Sequence, residues 1–371
     1  MRGMPLPVLA WGLILLLAFA TSACSTVGYY AQAVSGQIRL LRACEPIADL
    51  IADPATDAAL RARLRTVQDA RGWAVQALNL PDNGSYRSYV ALPRPYVVWN
   101  VFATPEFSVD ALEHCFPVAG CVGYQGWYAE ADARAQAERL RSQGYDVYVS
   151  GVPAYSTLGW FDDPVLSSML RWDDATLIGT LFHELAHQKL YVRHDTRFNE
   201  SFAEFVGEQG AREYLAAHGQ PAAADPDRRR AQREQFTALV LALRARLAAL
   251  YGEPLVADAM RARKQEAFAD FQRRYAQLRD GDWHGDDAYA GFFKLGSLNN
   301  ARLLPFGFYD ADLPAFAALY AESGRDWTRF YAAATALSRL GSGARRAELL
   351  RLAQRPPGEP DVRHQGVAEV R

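Results

Sequence analysis

The sequence predicts an α+β protein, mostly helical, with a small sheet placed ahead of its central helices. Apolar residues recur at helical spacing through most of the 371 residues, whereas β-branched and aromatic runs of strand length gather between residues 86 and 152. Breaks at Asp53-Pro54 and Gly252-Glu253-Pro254 divide the helical stretches into elements of ordinary length. Half of the residues are hydrophobic, enough to bury a sizeable core.

Residues 1–23 read as a lipoprotein signal peptide. Arg2 gives a positive start, residues 8–20 form an apolar run too short to span a bilayer comfortably, and Ser22-Ala23 sets small residues before Cys24. Cleavage before Cys24 would leave a thiol carrying diacylglycerol and an acylated amine, and several acyl chains anchor stably where one does not. Thr21 stands where a lipobox usually has Leu, so a plain secretory signal or an uncleaved anchor remains the alternative. Ser25 resembles the outer-membrane sorting pattern. The expected location is therefore the bacterial cell envelope, lipid-anchored in the outer membrane and facing the periplasm.

Residues 24–80 form an N-terminal helical segment, with helices expected over 28–51 and 55–78. Residues 81–220 form the core unit. Tyr86–Leu92 and Tyr96–Phe102 flank Pro93-Arg94-Pro95 as a hairpin or as two sheet strands, residues 129–143 give a charged amphipathic helix, and Tyr145–Val152 a third strand. That strand and its continuation to Gly159 could align an extended peptide along a sheet edge. Tyr155, Trp160 and Phe161 there suit sheet packing as well as substrate contact.

A largely buried helix follows over residues 175–192, with Asp173 or Asp174 as its N-cap and Leu177, Ile178, Leu181, Phe182 and Leu185 at helical spacing. Asp195 or Thr196 caps a second helix over 197–217. Residues 221–355 make a helical C-terminal region, opening with an antiparallel hairpin of 227–251 and 255–280 and closing with helices near 312–322 and 326–339. Residues 356–371 read as a disordered polar tail.

The chemistry concentrates in His183-Glu184-Leu185-Ala186-His187. With 7 His in 371 residues and 17 Glu, chance supplies such a motif about 0.006 times. Residues four apart share one helix face, so both imidazoles can reach one Zn²⁺ while Glu184 takes a proton from its water. A third ligand is needed to leave one position open. His194 lies one residue too far along for the three-histidine pattern, and no Gly supplies its turn; it reads as a cation near a helix end beside Lys189 and Arg193. Glu200, in the first turns of the next helix, is the expected third ligand.

HELAHQ paired with Asn199-Glu200-Ser201-Phe202-Ala203-Glu204 resembles the gluzincin metallopeptidases, in particular the thermolysin-like and M1 aminopeptidase groups. The resemblance implies Glu200 as zinc ligand and Glu204 as the acidic residue that orients the first zinc-bound His. It implies a gluzincin-like catalytic unit, the sheet preceding the zinc helix. The spacer from His187 to Glu200 is shorter than in those groups, so the interhelical connection must be tighter. CSTVGYYAQAVSGQIRLL, FPVAGCVGYQGWY, GVPAYSTLGWFDDPVLSS and SLNNARLLPFGFY extend the resemblance to the bacterial predicted-aminopeptidase lipoproteins over most of the chain. The M1 substrate strand carries a Glu that this one lacks, leaving Asp162, Asp163 or a distant Glu to hold a substrate amine. Tyr289 and Tyr309 are candidates for the oxyanion donor.

Of the remaining cysteines, Cys115 with Cys121 closes a small loop and is the expected disulfide, with Cys44 as an alternative partner. No His or Asn is suggested beside any of them as a nucleophile's partner. A net charge of −2 gives no argument for nucleic acid, and Arg228–Arg230 reads as a solvated helix start. The expected function is a zinc aminopeptidase with one Zn²⁺, acting on peptide substrates. The alternatives are a zinc endopeptidase or cell-wall peptide hydrolase, and an envelope assembly lipoprotein with a structural zinc.

Overall fold

The first helix stops well short of its expected end. The structure, a computed structural model, describes residues 27–116, 120–157, 159–220, 226–294, 298–306 and 312–354. Residues 27–42 form α1, and the helix expected over 28–51 is cut there. Pro46 ends the short strand β1 (Glu45–Pro46), an edge position where its missing N–H costs no ladder bond. Helices α2 (Ile47–Ala52) and α3 (Ala58–Gln76) follow, the latter capped by Asp57.

In place of one small sheet there are two, plus a ribbon. Strand β2 (Ser88–Val90) pairs antiparallel with β1 and parallel with β8 (Val165–Leu166). Strand β3 (Val98–Pro105) is the centre of the other sheet, between β6 (Tyr124–Trp127) and β7 (Tyr145–Val152), both antiparallel. The hairpin reading of residues 86–102 thus fails: Pro93 and Pro95 cannot donate to a shared ladder, and β2 and β3 enter different sheets. The strands β4 (His114–Phe116) and β5 (Gly120–Val122) form the ribbon, closed by a Cys115–Cys121 disulfide. Helix α4 (Glu130–Ser142) packs Ala133, Ala137 and Leu140 against Trp99, Val101 and Val147 of the β3 sheet.

The two central helices, α5 (Asp174–Lys189) and α6 (Thr196–Ala217), form the most extensive helix pair. Gly207 marks their closest approach: a Cβ there would lie 2.6 Å from the backbone oxygen of Gly179. Around them, α3 and the C-terminal helices α10 (Leu313–Glu322), α11 (Trp327–Ser338) and α12 (Ser342–Ala353) complete the main core, with Phe182, Phe198, Phe202, Phe316 and Phe330 fully buried. Helices α7 (Pro226–Tyr251) and α8 (Ala257–Asp280), with the short α9 (Ala290–Lys294), enclose a separate aromatic cluster around Phe236, Phe271, Tyr275 and Trp283.

No helix among the described residues is long and apolar enough to cross a membrane. Residues 1–23, Cys24 and the 356–371 tail lie outside the described residues.

Candidate metal centre

Asp173 accepts a hydrogen bond from the Thr176 N–H at 2.9 Å and so starts α5. Apolar side chains along one broad face of this helix hold it in the core and leave the His183–His187 face turned to α6. The helix stops at Lys189, shorter than expected, because Leu190 is already extended (φ −149°, ψ 124°). His194 and Arg193 therefore sit in the connection and not in a last helical turn. His194 has a positive φ of 62° and is exposed.

Asn199 explains how so short a connection is held. Its side chain accepts from the Val192 N–H at 2.7 Å and donates to the Val192 carbonyl at 2.8 Å, and it is 1% exposed. Asp195 caps α6 through the Phe198 N–H at 3.1 Å and is gripped by Arg345 of α12 at 2.6 and 2.8 Å. The loop is closed from both ends, and the next residue, Glu200, is delivered against the histidines.

Nε2 of His183 lies 3.1 Å from Nε2 of His187, and Glu200 Oε2 lies 3.5 and 3.7 Å from them. A tetrahedral zinc with donors at 2.0–2.2 Å separates them by roughly 3.3–3.5 Å, so this triangle fits one ion. Burial would lower the His183 pKa, but hydrogen bonding to Glu200 and Glu204 overrides it and raises the value to about 10. Burial likewise opposes ionisation of Glu200, yet His183 and His187 hold it down to about 2. The cluster favours positive charge where the donors converge, the property a divalent cation requires.

Glu204 accepts from Nδ1 of His183 at 3.2 Å, leaving Nε2 to face Glu200, and its other oxygen meets Arg233 of α7 at 3.0 Å. Arg233 also pairs with Glu208. Glu204 and Glu208 are thus not a solvated helix face. Nδ1 of His187, by contrast, is buried with no hydrogen-bond partner among the described residues. Glu184 is partly buried on the neighbouring face, and burial, more than any neighbouring charge, raises its pKa. A second group, Glu113 with Cys115 and Cys121, is exposed, and its sulfurs are tied up in the disulfide.

Three neighbours of the site carried no legible signal. Tyr86 is buried at a φ of 62°, and its phenol pKa is raised well above the usual range by burial and then by the charges of Glu184 and Asp163. Burial and then Glu200 raise that of Tyr124. Arg233 is the third; only its place in an Arg-rich helix start was visible. Of the oxyanion candidates, Tyr289 stacks on Phe236 at 4.1 Å as a packed aromatic, and Tyr309 lies outside the described residues.

A family model described as "Putative aminopeptidase" matches residues 28–350. The chain belongs to this family. No curated protein and no solved structure matches it. In this member of the putative aminopeptidase family, the two aspartates expected as candidates to hold a substrate amine lie in different surroundings. The buried Asp163 carboxylate accepts from the Thr157 N–H and Oγ1, each at 2.8 Å, and from Ser156 Oγ at 3.2 Å, so it is spent on shaping its own loop. Asp162 is exposed. The strand β7 lies at the edge of its sheet, where Asn299 already donates to its Val147 carbonyl at 3.1 Å. Beyond it, Trp160 (83% exposed) and Phe161 (48%) are not packed on any sheet, whereas Tyr155 is tied to Tyr128 at 2.7 Å.

Proposed function

We propose that the protein is a zinc-dependent aminopeptidase, held by a lipidated Cys24 in the bacterial cell envelope, with His183, His187 and Glu200 holding the ion. The triangle of two imidazole nitrogens and one carboxylate oxygen carries this reading. Zinc bound there would supply Lewis-acid polarisation of a scissile carbonyl and acidify a water. Two neutral imidazoles and one carboxylate leave the site net positive with the ion, which suits stabilisation of a developing oxyanion.

Glu184 takes the proton of the attacking water and hands it to the leaving amine. Its burial supports that role, since a carboxylate made a better base by desolvation still returns its proton readily near neutral pH. Glu204 keeps the His183 ring in the tautomer that presents Nε2.

A zinc endopeptidase or cell-wall peptide hydrolase is the second reading. The observation in its favour is the Asp163 carboxylate, which is buried and already engaged by Ser156 and Thr157 and so poorly placed for a substrate amine.

Metal analysis of the purified protein, with hydrolysis assayed before chelation, after it and after zinc is restored, tests the shared chemistry. One zinc per chain and zinc-reversible loss of hydrolysis are expected. Hydrolysis that survives complete metal removal would sink the assignment.

A further inference from the structure

The basic start of α7 does not simply face solvent. It closes one side of a cleft of about 380 Å³ whose walls include His183 and Glu184, with Arg212, Arg229, Arg230 and Arg233 around it. That volume falls within the roughly 300–1,000 Å³ typical of small-ligand pockets.

The four guanidiniums are unequally engaged. Arg233 is held between Glu204 and Glu208. Arg229 reaches Asp173 and Arg230 reaches Glu234 only at 3.4 Å, with all four side chains about half exposed. Arg212 is exposed and forms no ion pair among the described residues. Exposed pairs of this kind contribute about 0–1 kcal/mol, so Arg229 and Arg230 can exchange their partners for a better-placed anion. A planar guanidinium suits a carboxylate because it donates two parallel hydrogen bonds.

Resting on the peptidase reading, the side of the substrate that enters this cleft follows from Glu184. The group that protonates the leaving amine must lie beside it, so a cleft walled by Glu184 receives the residues that follow the scissile bond. We propose that Arg212, Arg229 and Arg230 form a carboxylate-binding subsite on the leaving-group side, selecting short peptides with a free C-terminus or peptides with an acidic side chain there.

The test uses the zinc-loaded protein and four substrates sharing one N-terminal residue, X-Ala, X-Ala-amide, X-Glu-amide and X-Gln-amide. Turnover is read by mass spectrometry and binding by calorimetry. X-Ala preferred over its amide identifies the terminal carboxylate, and X-Glu-amide preferred over X-Gln-amide identifies the side chain. A preference of about tenfold in either pair is expected, the size of one charge-assisted hydrogen bond, and it should fall towards one in R212Q/R229Q/R230Q. Equal handling of acid and neutral partner in both pairs, or a preference that survives the triple substitution, would overturn the proposal. Binding preference without turnover would uphold the subsite while removing the peptidase reading.

Discussion

Glu204 joins His183 to the helical hairpin: one oxygen accepts from Nδ1 of His183 at 3.2 Å while the other meets Arg233 at 3.0 Å. Held in this way, His183 would keep its ring orientation and its Nε2 free for the proposed ion. Substituting Glu204→Ala should weaken zinc affinity by about 10–100-fold, as loss of a ligand-orienting carboxylate does elsewhere. Competition against a chromophoric chelator measures this directly. Wild-type affinity in that variant would reduce Glu204 to a partner of Arg233.

At Gly207 the packing of α5 on α6 leaves no room for a methyl group, since the obstructing atom is the backbone oxygen of Gly179. A backbone atom cannot rotate away as a side chain does. The Gly207→Ala protein should lose about 1–3 kcal/mol of stability by overpacking, read as a lower urea midpoint at an unchanged slope. A midpoint equal to the wild type would mean that the helices cross further apart.

Tyr86 combines a φ of 62° with full burial beside Glu184. The strain persists because the surrounding loop is tied down: the Tyr86 N–H donates to the Asp163 carbonyl at 2.6 Å, and Gln188 donates to Ser85 Oγ at 3.2 Å. Replacing Tyr86 by Phe keeps the ring and removes the hydroxyl. We expect kcat to fall about tenfold, roughly 1.4 kcal/mol of barrier, with KM and thermal midpoint little changed. Steady-state kinetics decide; an unchanged kcat would make Tyr86 a packing residue.

How much of the site is legible in the sequence depends on the range of each signal. His183, His187 and Glu200 were legible because local helical periodicity places them, and a cap at Asp195 fixes where the second helix begins. The Asn199 clasp on Val192 was not, since a side chain bonding backwards across a turn leaves no periodic trace. Tyr86 and Arg233 reach the site through tertiary packing, from well before α5 in the chain and from the helix after α6. The single sheet became two for a related reason: pairing of β2 with β8 joins residues far apart in the chain, and strand composition does not name its partner. Helix α12 (Ser342–Ala353), whose Arg345 grips Asp195, is not legible in the sequence because it lacks a clear apolar stripe.

In the proposed mechanism Glu184 performs proton transfer at a zinc site built by His183, His187 and Glu200. The most direct measurement compares the wild type with Glu184→Gln for zinc content and for cleavage of one peptide, free and N-acetylated, by mass spectrometry. One zinc per chain in both proteins is predicted, with the free peptide shortened from its N-terminus by the wild type alone and the acetylated peptide left intact. A Gln variant that carries zinc and cleaves as fast as the wild type would contradict the account.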